Sequence, residues 1–263
     1  MSTDIVILSG ARTAIGTFGG SLAAIPPIDL ATTVTRAAIE RAGVAPDRIG
    51  QVVFGHVLNT EPRDMYLSRV AMLNAGVPDT TPAMNVNRLC GSGAQAIVSA
   101  AQALMLGDAD FAIAGGAESM TRAPYVMGKA ATAFDRAQTI EDTTMGWRFI
   151  NPALRAAYGV DTMPQTAENV AEQWAITREA QDAFALDSQT KAAAALASGR
   201  FDAEITPVSV PQRRGDPVVC AVDEHPRATS LDALAKLKPV VRPEGTVTAG
   251  NASGLNDGAA AMI

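Results

Sequence analysis

The sequence alternates between short apolar runs and longer stretches in which apolar residues recur at helical spacing. The short runs at 4–8, 51–57 and 110–114 have the length and composition of buried strands. Between them, residues 29–42 and 93–106 carry the periodicity of helices that pack on one side. Because strand–helix–strand alternation with short links is typical of βαβ units, we expect an α/β fold with a mainly parallel sheet flanked by helices.

The pattern changes after residue 120. Residues 121–150 show no clean period, and a helical block follows over 166–199, with a break at Thr177 that we expect to cap the second of two helices. Two further strands are expected at 205–211 and 217–222. The expected division is a core over 1–120, an inserted α+β loop domain over 121–244 and a return to the core over 245–263.

The C-terminal stretch turns abruptly apolar. A strand that begins at Ala259 would reach Ile263 without a helix cap, a polar tail or a partner further along the chain. We therefore expect these residues to belong to a longer polypeptide. The alternative is a natural terminus tucked into a sheet.

Composition argues against several classes of function. The net charge is −6 and only 5% of the residues are aromatic, which disfavours a broad surface for nucleic acid. We expect that no apolar run reaches the roughly 18 residues that a membrane span needs, and therefore no membrane association. Two cysteines and two histidines lie scattered without ligand spacing, which disfavours a disulfide framework and a metal site. We expect a cytoplasmic protein.

The strongest local signal is the segment Asn87–Gly93. A strand ends at a turn, Cys90 lies on that turn, and an Ala-rich helix starts within three residues. The two flanking glycines allow close approach of a ligand and backbone angles that other residues avoid. A thiol at a helix N-terminus faces unpaired N–H groups and the positive end of the helix dipole, which favour the thiolate. Cys90 is our candidate nucleophile, on a turn similar to the one that exposes the serine of hydrolases; the alternative is a small buried side chain.

Other features have two interpretations each. Cys220 is expected to pack in the core, and His56, at a strand end, is expected to be a structural histidine. The segment Gly245–Gly258 could cradle an extended ligand or form a turn between domains, and it matches no phosphate-binding fingerprint. A basic set is either a solvated face or a site for a phosphorylated small molecule. Its members are Arg213, Arg214, Arg227, Lys236, Lys238 and Arg242.

Five segments together make the sequence similar to the thiolase family, the acyl-CoA C-acyltransferases. They are ARTAIGTFGGSL at 11–22, VNRLCGSGAQAI at 86–97, AGGAESM at 114–120, TAENVA at 166–171 and GTVTAGNASGLNDGAAA at 245–261. The resemblance covers the N-terminal half and the loop domain of a thiolase. The family's GHP histidine motif, NEAF asparagine motif and second catalytic cysteine lie downstream of the matched part.

The resemblance implies a mechanism. Cys90 matches the nucleophile that takes an acyl group from acyl-CoA as a thioester. A second acyl-CoA then attacks as a carbanion to give a 3-ketoacyl-CoA such as acetoacetyl-CoA, and thiolysis is the reverse. In the family the histidine activates this cysteine and the second cysteine moves the α-proton, so we expect the present chain to be inactive alone. The resemblance also implies that the substrates are coenzyme A thioesters and that no cofactor is permanently bound. It further implies a homodimer or homotetramer and a place in fatty acid metabolism.

The resemblance also assigns contacts with coenzyme A in the loop domain. The positions are Leu154, Met163, Arg227, Ala249 and Ser253. Many members that make acetoacetyl-CoA carry His-Met where this sequence has Thr162-Met163, and EPRDMYLSR at 61–69 is more similar to broad-specificity β-ketothiolases. The acyl chain length therefore stays open.

Three other functions are alternatives. A ketoacyl synthase-type condensing enzyme is disfavoured by the loop domain and by NRLCGSGAQAI, which resemble the CoA-using branch. A non-catalytic thiolase-like lipid-binding protein would need no reactive cysteine, so the alkylation rate of Cys90 separates it from an enzyme. A redox-sensing protein would need a resolving cysteine near Cys90 in sequence, which this chain lacks.

Overall fold

The computed structural model describes residues 4–263, whose contacts divide the chain into two compact units. The first unit runs to Arg122 and includes Phe201–His225 and Leu255–Ile263. The second unit comprises Ala123–Arg200 and Pro226–Gly254. This division differs from the expected domains in two places, because residues 201–225 pack with the first unit and residues 245–254 with the second.

Ten strands and seven α-helices are assigned within residues 4–263. The strands are β1 (Gly10–Arg12), β2 (Gly16–Thr17), β3 (Ile49–Gly55), β4 (Ala83–Val86), β5 (Phe111–Ser119), β6 (Tyr125–Met127), β7 (Ile140–Asp142), β8 (Val208–Val210), β9 (Val218–Cys220) and β10 (Asn256–Met262). The helices are α1 (Pro27–Ala42), α2 (Leu67–Asn74), α3 (Ser92–Leu106), α4 (Pro152–Tyr158), α5 (Met163–Gln173), α6 (Arg178–Ala197) and α7 (Leu231–Ala235).

The first unit is built on a six-stranded sheet. Its order is β1-β10-β5-β3-β4, and β2 also pairs with β10. β3 is parallel to β4 and β5, whereas β10 is antiparallel to β5, β1 and β2. The α/β class is confirmed, with a mixed sheet where a mainly parallel one was expected. The expected parallel direction applies to neighbouring strands that a direct helical crossover connects. β10 enters the sheet after a long excursion of the chain, so this rule does not determine its direction.

Both faces of this sheet carry helices. On one face, α1 and α2 cover the main apolar core, to which Val52 and Phe54 contribute. On the other face, Val53 packs with Ala96 and Ala100 of α3. The side chains of β3 alternate between the two cores because successive residues of a strand point to opposite faces.

Helix ends in both units lie close to the predicted positions. α1 ends at Ala42, as expected, and is followed by Gly43, which has the left-handed φ of 64° that glycine adopts readily. The predicted break at Thr177 is confirmed: its side chain accepts a hydrogen bond from the amide of Ala180 at 3.2 Å and caps α6.

The predicted strand at 4–8 is wrong. Val6 and Ile7 are 65% and 70% exposed, and ladder pairing begins only at β1. The amide of Leu8 donates to the carbonyl of Ile263 at 2.7 Å, and the amide of Ile263 donates to the carbonyl of Ser9 at 3.2 Å, so the end of this run next to β1 is tied to the sheet. A β-branched run satisfies the strand pattern whether or not a partner edge lies beside it.

The segment Leu89–Leu106 corrects the expectation that no run is long enough to cross a membrane. Its 18 residues have a mean hydropathy of 1.3, which meets that requirement by length and composition alone. α3 itself has 15 residues. Such a helix is about 22 Å long, against a hydrocarbon core of about 30 Å. Since α3 packs on β3 and β5 through its alanines, it forms one layer of the α/β unit.

An ion pair ties residues 201–225 to the start of the chain. Arg12 donates through Nη1 and Nη2 to the two carboxylate oxygens of Asp223 at 2.8 and 3.0 Å, and the amide of Ile15 donates to Asp223 at 2.8 Å. Burial alone would raise the pKa of Asp223, but the hydrogen bonds from Arg12 and Ile15 outweigh it and leave that pKa below its ordinary value.

We predict that Asp223→Asn lowers the free energy of unfolding by about 1.5–3 kcal/mol at neutral pH, because it weakens hydrogen bonds to a charged group. Since the pKa of Asp223 is lowered by folding, its stabilisation is complete well above the ordinary value of about 4 and is lost as the pH falls below it. Urea unfolding across pH tests both points. The exposed Asp202→Asn is the control, and equal effects of the two variants would contradict the prediction.

Candidate active site

Cys90 lies on the turn between β4 and α3, and its side chain is exposed. Exposure contradicts the alternative that it is a small buried side chain. The helix behind it begins at Ser92, one residue earlier than the sequence pattern indicates. The thiol is therefore presented to solvent immediately before the N-terminus of a helix, where backbone N–H groups lack helical partners.

The turn has an unusual backbone at Leu89, not at the flanking glycines. Leu89 has a φ of 50°, whereas Gly91 has a φ of −84°. The left-handed region costs a non-glycine residue roughly 1–2 kcal/mol. Hydrogen bonds offset this cost: the Leu89 amide donates to Asn87 Oδ1 at 3.1 Å, and Ser92 Oγ donates to the Leu89 carbonyl at 2.6 Å. Ser92 Oγ also accepts from the amide of Arg88 at 2.8 Å.

Sequence reasoning missed Ser92. Its side chain is 5% exposed, and it bonds to backbone on both sides of Leu89. A serine at a helix start was the available signal, since short hydroxyl side chains often bond to nearby backbone there.

Glycines in the sheet allow the first turn of α3 to lie directly on β3. A Cβ atom added at Gly55 would lie 2.7 Å from the carbonyl carbon of Ser92 and 2.8 Å from the amide nitrogen of Gly93. A Cβ at Gly116 of β5 would lie 3.3 Å from the Gly55 carbonyl oxygen. Only a residue without a side chain fits at Gly55, so the position of the turn depends on it.

His56 behaves as a structural histidine. It is 5% exposed, and its Nδ1 lies 2.8 Å from the carbonyl oxygen of Ala117. The neighbouring Glu118 accepts hydrogen bonds from the amides of Val57 and Leu58 at 2.9 and 3.2 Å. Burial raises the pKa of Glu118, while the charge of His56 and the two amides oppose that rise. These contacts hold the loop after β3.

The second unit contains a shallow pocket of about 220 Å³. The pocket brings together two residues singled out from the sequence, Arg227 and Ala249, and Arg227 Nη2 donates to the carbonyl of Ala249 at 3.2 Å. The amide of Arg227 donates to Gln189 Oε1 at 2.9 Å. The remaining lining is Thr229, Ala233, Leu234, Leu237 and Gly250. Sequence reasoning missed the apolar wall from α7, whose five residues are too few for a periodic signal.

The other three residues assigned to coenzyme A lie in the second unit but outside the lining of this pocket. Leu154 is half-buried on α4, Met163 begins α5 with 62% of its surface exposed, and Ser253 is exposed. The basic set is divided: Arg213 and Arg214 belong to the first unit, and its other members belong to the second. Within residues 4–263, no group of three or more His, Cys, Asp or Glu side chains could hold a metal ion.

Known proteins resemble this chain over almost its whole length. The family model described as Thiolase, N-terminal domain, matches residues 5–263. The Beta-ketoadipyl-CoA thiolase of Acinetobacter baylyi is 57% identical over 259 residues, which are 98% of this chain and 65% of that protein. The Beta-ketothiolase BktB of Cupriavidus necator is 51% identical, over 100% of this chain and 66% of that protein.

Solved structures give the same result. The acetyl-CoA acetyltransferase of Bacillus anthracis superposes with a TM-score of 0.88 at 40% identity, covering 99% of this chain and 65% of that one. Human mitochondrial 3-ketoacyl-CoA thiolase gives a TM-score of 0.86 at 36% identity, over 97% and 64% of the two chains. The chain thus spans about 65% of the length of the Acinetobacter relative.

We predict that Gly55→Ala lowers the free energy of unfolding by about 1–3 kcal/mol, because its Cβ would collide with the start of α3. Gly93→Ala is the matched control, since a Cβ there meets nothing within 4 Å. The control should raise stability by about 0.5–1 kcal/mol, as expected for alanine in a helix. Urea unfolding of both variants measures the difference, and similar values for the two would refute the close contact.

We also predict that iodoacetamide modifies Cys90 roughly ten times faster than Cys220, or more, at neutral pH. Cys90 is exposed, whereas Cys220 is 6% exposed. Burial raises the pKa of the Cys220 thiol, and the charges of Glu224 and Asp223 raise it further. Peptide mass spectrometry reports each site, and urea-unfolded chain is the control in which the rates should converge. Equal rates in the folded chain would be incompatible with this structure.

Proposed function

This chain belongs to the thiolase family, and from that premise we propose that it carries the nucleophile and the coenzyme A-binding part of an acyl-CoA C-acyltransferase. The observation that carries the proposal is the exposed Cys90, which lies directly before α3 and follows Leu89, whose backbone is left-handed. A ketoacyl synthase, a lipid-binding protein and a redox sensor are not favoured by the proteins that resemble this chain.

In the proposed reaction, the thiolate of Cys90 attacks the carbonyl carbon of an acyl-CoA. The tetrahedral intermediate collapses, the C–S bond to coenzyme A breaks, and coenzyme A leaves as its thiolate while the acyl group stays on Cys90 as a thioester. The α-carbanion of a second acyl-CoA then attacks this thioester, which releases Cys90 and forms a 3-ketoacyl-CoA. Thiolysis runs the same steps backwards.

The groups that move protons are proposed to lie in the part of the relatives that this chain does not cover. The histidines and the second cysteine of this chain are engaged elsewhere than at Cys90. His56 bonds to a backbone carbonyl, His225 lies 3.3 Å from Asn256, and Cys220 is buried. We propose that the family histidine and second cysteine activate Cys90 and move the α-proton in the full-length protein. Removing one member of such a catalytic group removes most of its effect, which supports inactivity of the 263-residue chain alone.

The second unit is proposed to hold coenzyme A. The pocket that contains Arg227 and Ala249 has a polar and an apolar wall, which suits the mixed character of a pantetheine arm and a nucleotide. We propose that the other contacts come from Leu154, Met163 and Ser253. Coenzyme A thioesters would be substrates, with no permanently bound cofactor.

The proposed substrates include 3-ketoacyl-CoA thioesters longer than acetoacetyl-CoA. Thr162 stands where many acetoacetyl-forming members have histidine. Relatives named as Beta-ketoadipyl-CoA thiolases reach 57% identity, against 49% for the Acetyl-CoA acetyltransferase of Cupriavidus necator. We also propose a role in fatty acid or related acyl-CoA metabolism.

We propose a homodimer or homotetramer in the cytoplasm. The support for assembly is the apolar surface of α3, where Met105 and Leu106 are 66% and 79% exposed. Both cysteines are free thiols, as is usual in a reducing compartment.

The test is thiolysis by the full-length protein that carries these residues. Cys90→Ala should reduce kcat at least roughly 1,000-fold, because no covalent intermediate can form, while the matched variant Cys220→Ala should keep nearly full activity. Acetoacetyl-CoA, 3-ketoadipyl-CoA and longer 3-ketoacyl-CoA thioesters form the substrate series. Turnover by Cys90→Ala, or no turnover of any member by the wild type, would reject the proposal.

A further inference from the structure

Two carboxylates of the second unit are almost completely buried. Glu168 on α5 is 2% exposed and Asp182 on α6 is 4% exposed. A buried charge is strongly unfavourable unless it is paired and hydrogen-bonded. Both residues accept hydrogen bonds from the same segment, the loop 245–251, which follows neither helix directly in sequence.

Glu168 binds the start of this loop. Its Oε1 accepts hydrogen bonds from the amides of Thr246 and Val247, both at 2.8 Å, and its Oε2 accepts from Thr246 Oγ1 at 3.1 Å. A Cβ at Gly245 would collide with the Glu168 carboxylate, so the glycine makes this close approach possible. Burial alone would raise the pKa of Glu168, but these hydrogen bonds and the charge of Arg242 lower it overall, and the group stays ionised.

Asp182 binds the end of the loop through Asn251. Its Oδ2 accepts from Arg178 Nε at 2.8 Å, and its Oδ1 accepts from Asn251 Nδ2 at 2.9 Å. Asn251 in turn accepts the amide of Thr248 at 2.7 Å and donates to the carbonyl of Thr246 at 3.1 Å. The loop is thereby fixed at both ends by side chains from two different helices.

The part of the loop between these anchors faces the pocket. Ala249 is exposed and its carbonyl accepts from Arg227, while a Cβ at Gly250 would collide with the side chains of Leu234 and Leu237. Ordering a residue costs about 1–2 kcal/mol of backbone entropy. A loop that is already ordered does not lose this free energy when a ligand binds.

We propose that Glu168 and Asp182 are positioning residues, which hold the loop 245–251 in the conformation that binds the coenzyme A part of an acyl-CoA. This inference rests on the proposed function of the second unit. Neither carboxylate needs to touch the ligand, because both act through the backbone of the loop.

The experiment measures binding of coenzyme A to the chain by isothermal titration calorimetry. Glu168→Gln keeps the shape but replaces one acceptor oxygen by an NH₂ group that opposes the loop amides, so we expect roughly tenfold weaker binding. Asp182→Asn should weaken it by a similar factor. Glu172→Gln is the matched control: it lies one turn along α5, also pairs with Arg242, and is exposed. The control should bind like the wild type.

Amide hydrogen exchange separates positioning from a general loss of structure. In Glu168→Gln, exchange at Thr246 and Val247 should accelerate while exchange in the middle of α6 stays as in the wild type. The milder variant Thr246→Val removes the hydrogen bonds of the hydroxyl group to Glu168 and from Gln181 but keeps both loop amides, and should bind about threefold more weakly. Wild-type affinity in both carboxylate variants would overturn the inference and leave the proposed function intact. Absence of binding by the wild type would overturn both.

Discussion

The position of the candidate nucleophile depends on the close approach of one helix to the backbone of a sheet. A side chain at Gly55 would occupy the place of the Ser92 and Gly93 backbone. Because the first turn of α3 lies this low, the Ser92 hydroxyl can bond to backbone on both sides of Leu89 and hold its left-handed conformation. Cys90 follows on the outer side of that turn, at the surface. The exposure of Cys90 thus depends on the hydrogen bonds of Ser92, and these depend on the close contact at Gly55.

Carboxylates that accept backbone amides order the loops of both units. Asp223 accepts a hydrogen bond from the amide of Ile15, and Glu118 accepts hydrogen bonds from two amides after β3. Glu168 accepts hydrogen bonds from two amides of the loop 245–251. Each carboxylate replaces the water that a loop amide would otherwise need, so segments without regular structure keep a defined conformation. The same contacts explain why residues far apart in sequence belong to one unit.

Local sequence patterns predict the structural features that depend only on residues close together in the chain. Periodicity located α1 and α3, Thr177 marked a helix start, and the turn before α3 identified Cys90. Local sequence patterns did not indicate features that depend on residues distant in sequence. These are the direction of β10, the ion pair that draws residues 201–225 into the first unit, and the hydrogen bonds of the buried Ser92. The run at 4–8 shows the limit, because its composition suits a strand while its neighbours in space leave it exposed. Of the residues assigned to coenzyme A, Arg227 and Ala249 line one pocket, which no spacing rule could indicate.

We propose above all that the sulfur of Cys90 accepts an acyl group from an acyl-CoA. The most direct measurement incubates the full-length protein with radiolabelled acetyl-CoA without a second substrate, quenches in acid and locates the label by peptide mapping. We expect one acetyl group per chain on the peptide that contains Cys90. Hydroxylamine should release this group as acetohydroxamate, which is diagnostic of a thioester, and coenzyme A added before the quench should release it as acetyl-CoA. Label on any other residue, or a wild-type protein that stays unlabelled while it turns over 3-ketoacyl-CoA, would contradict it.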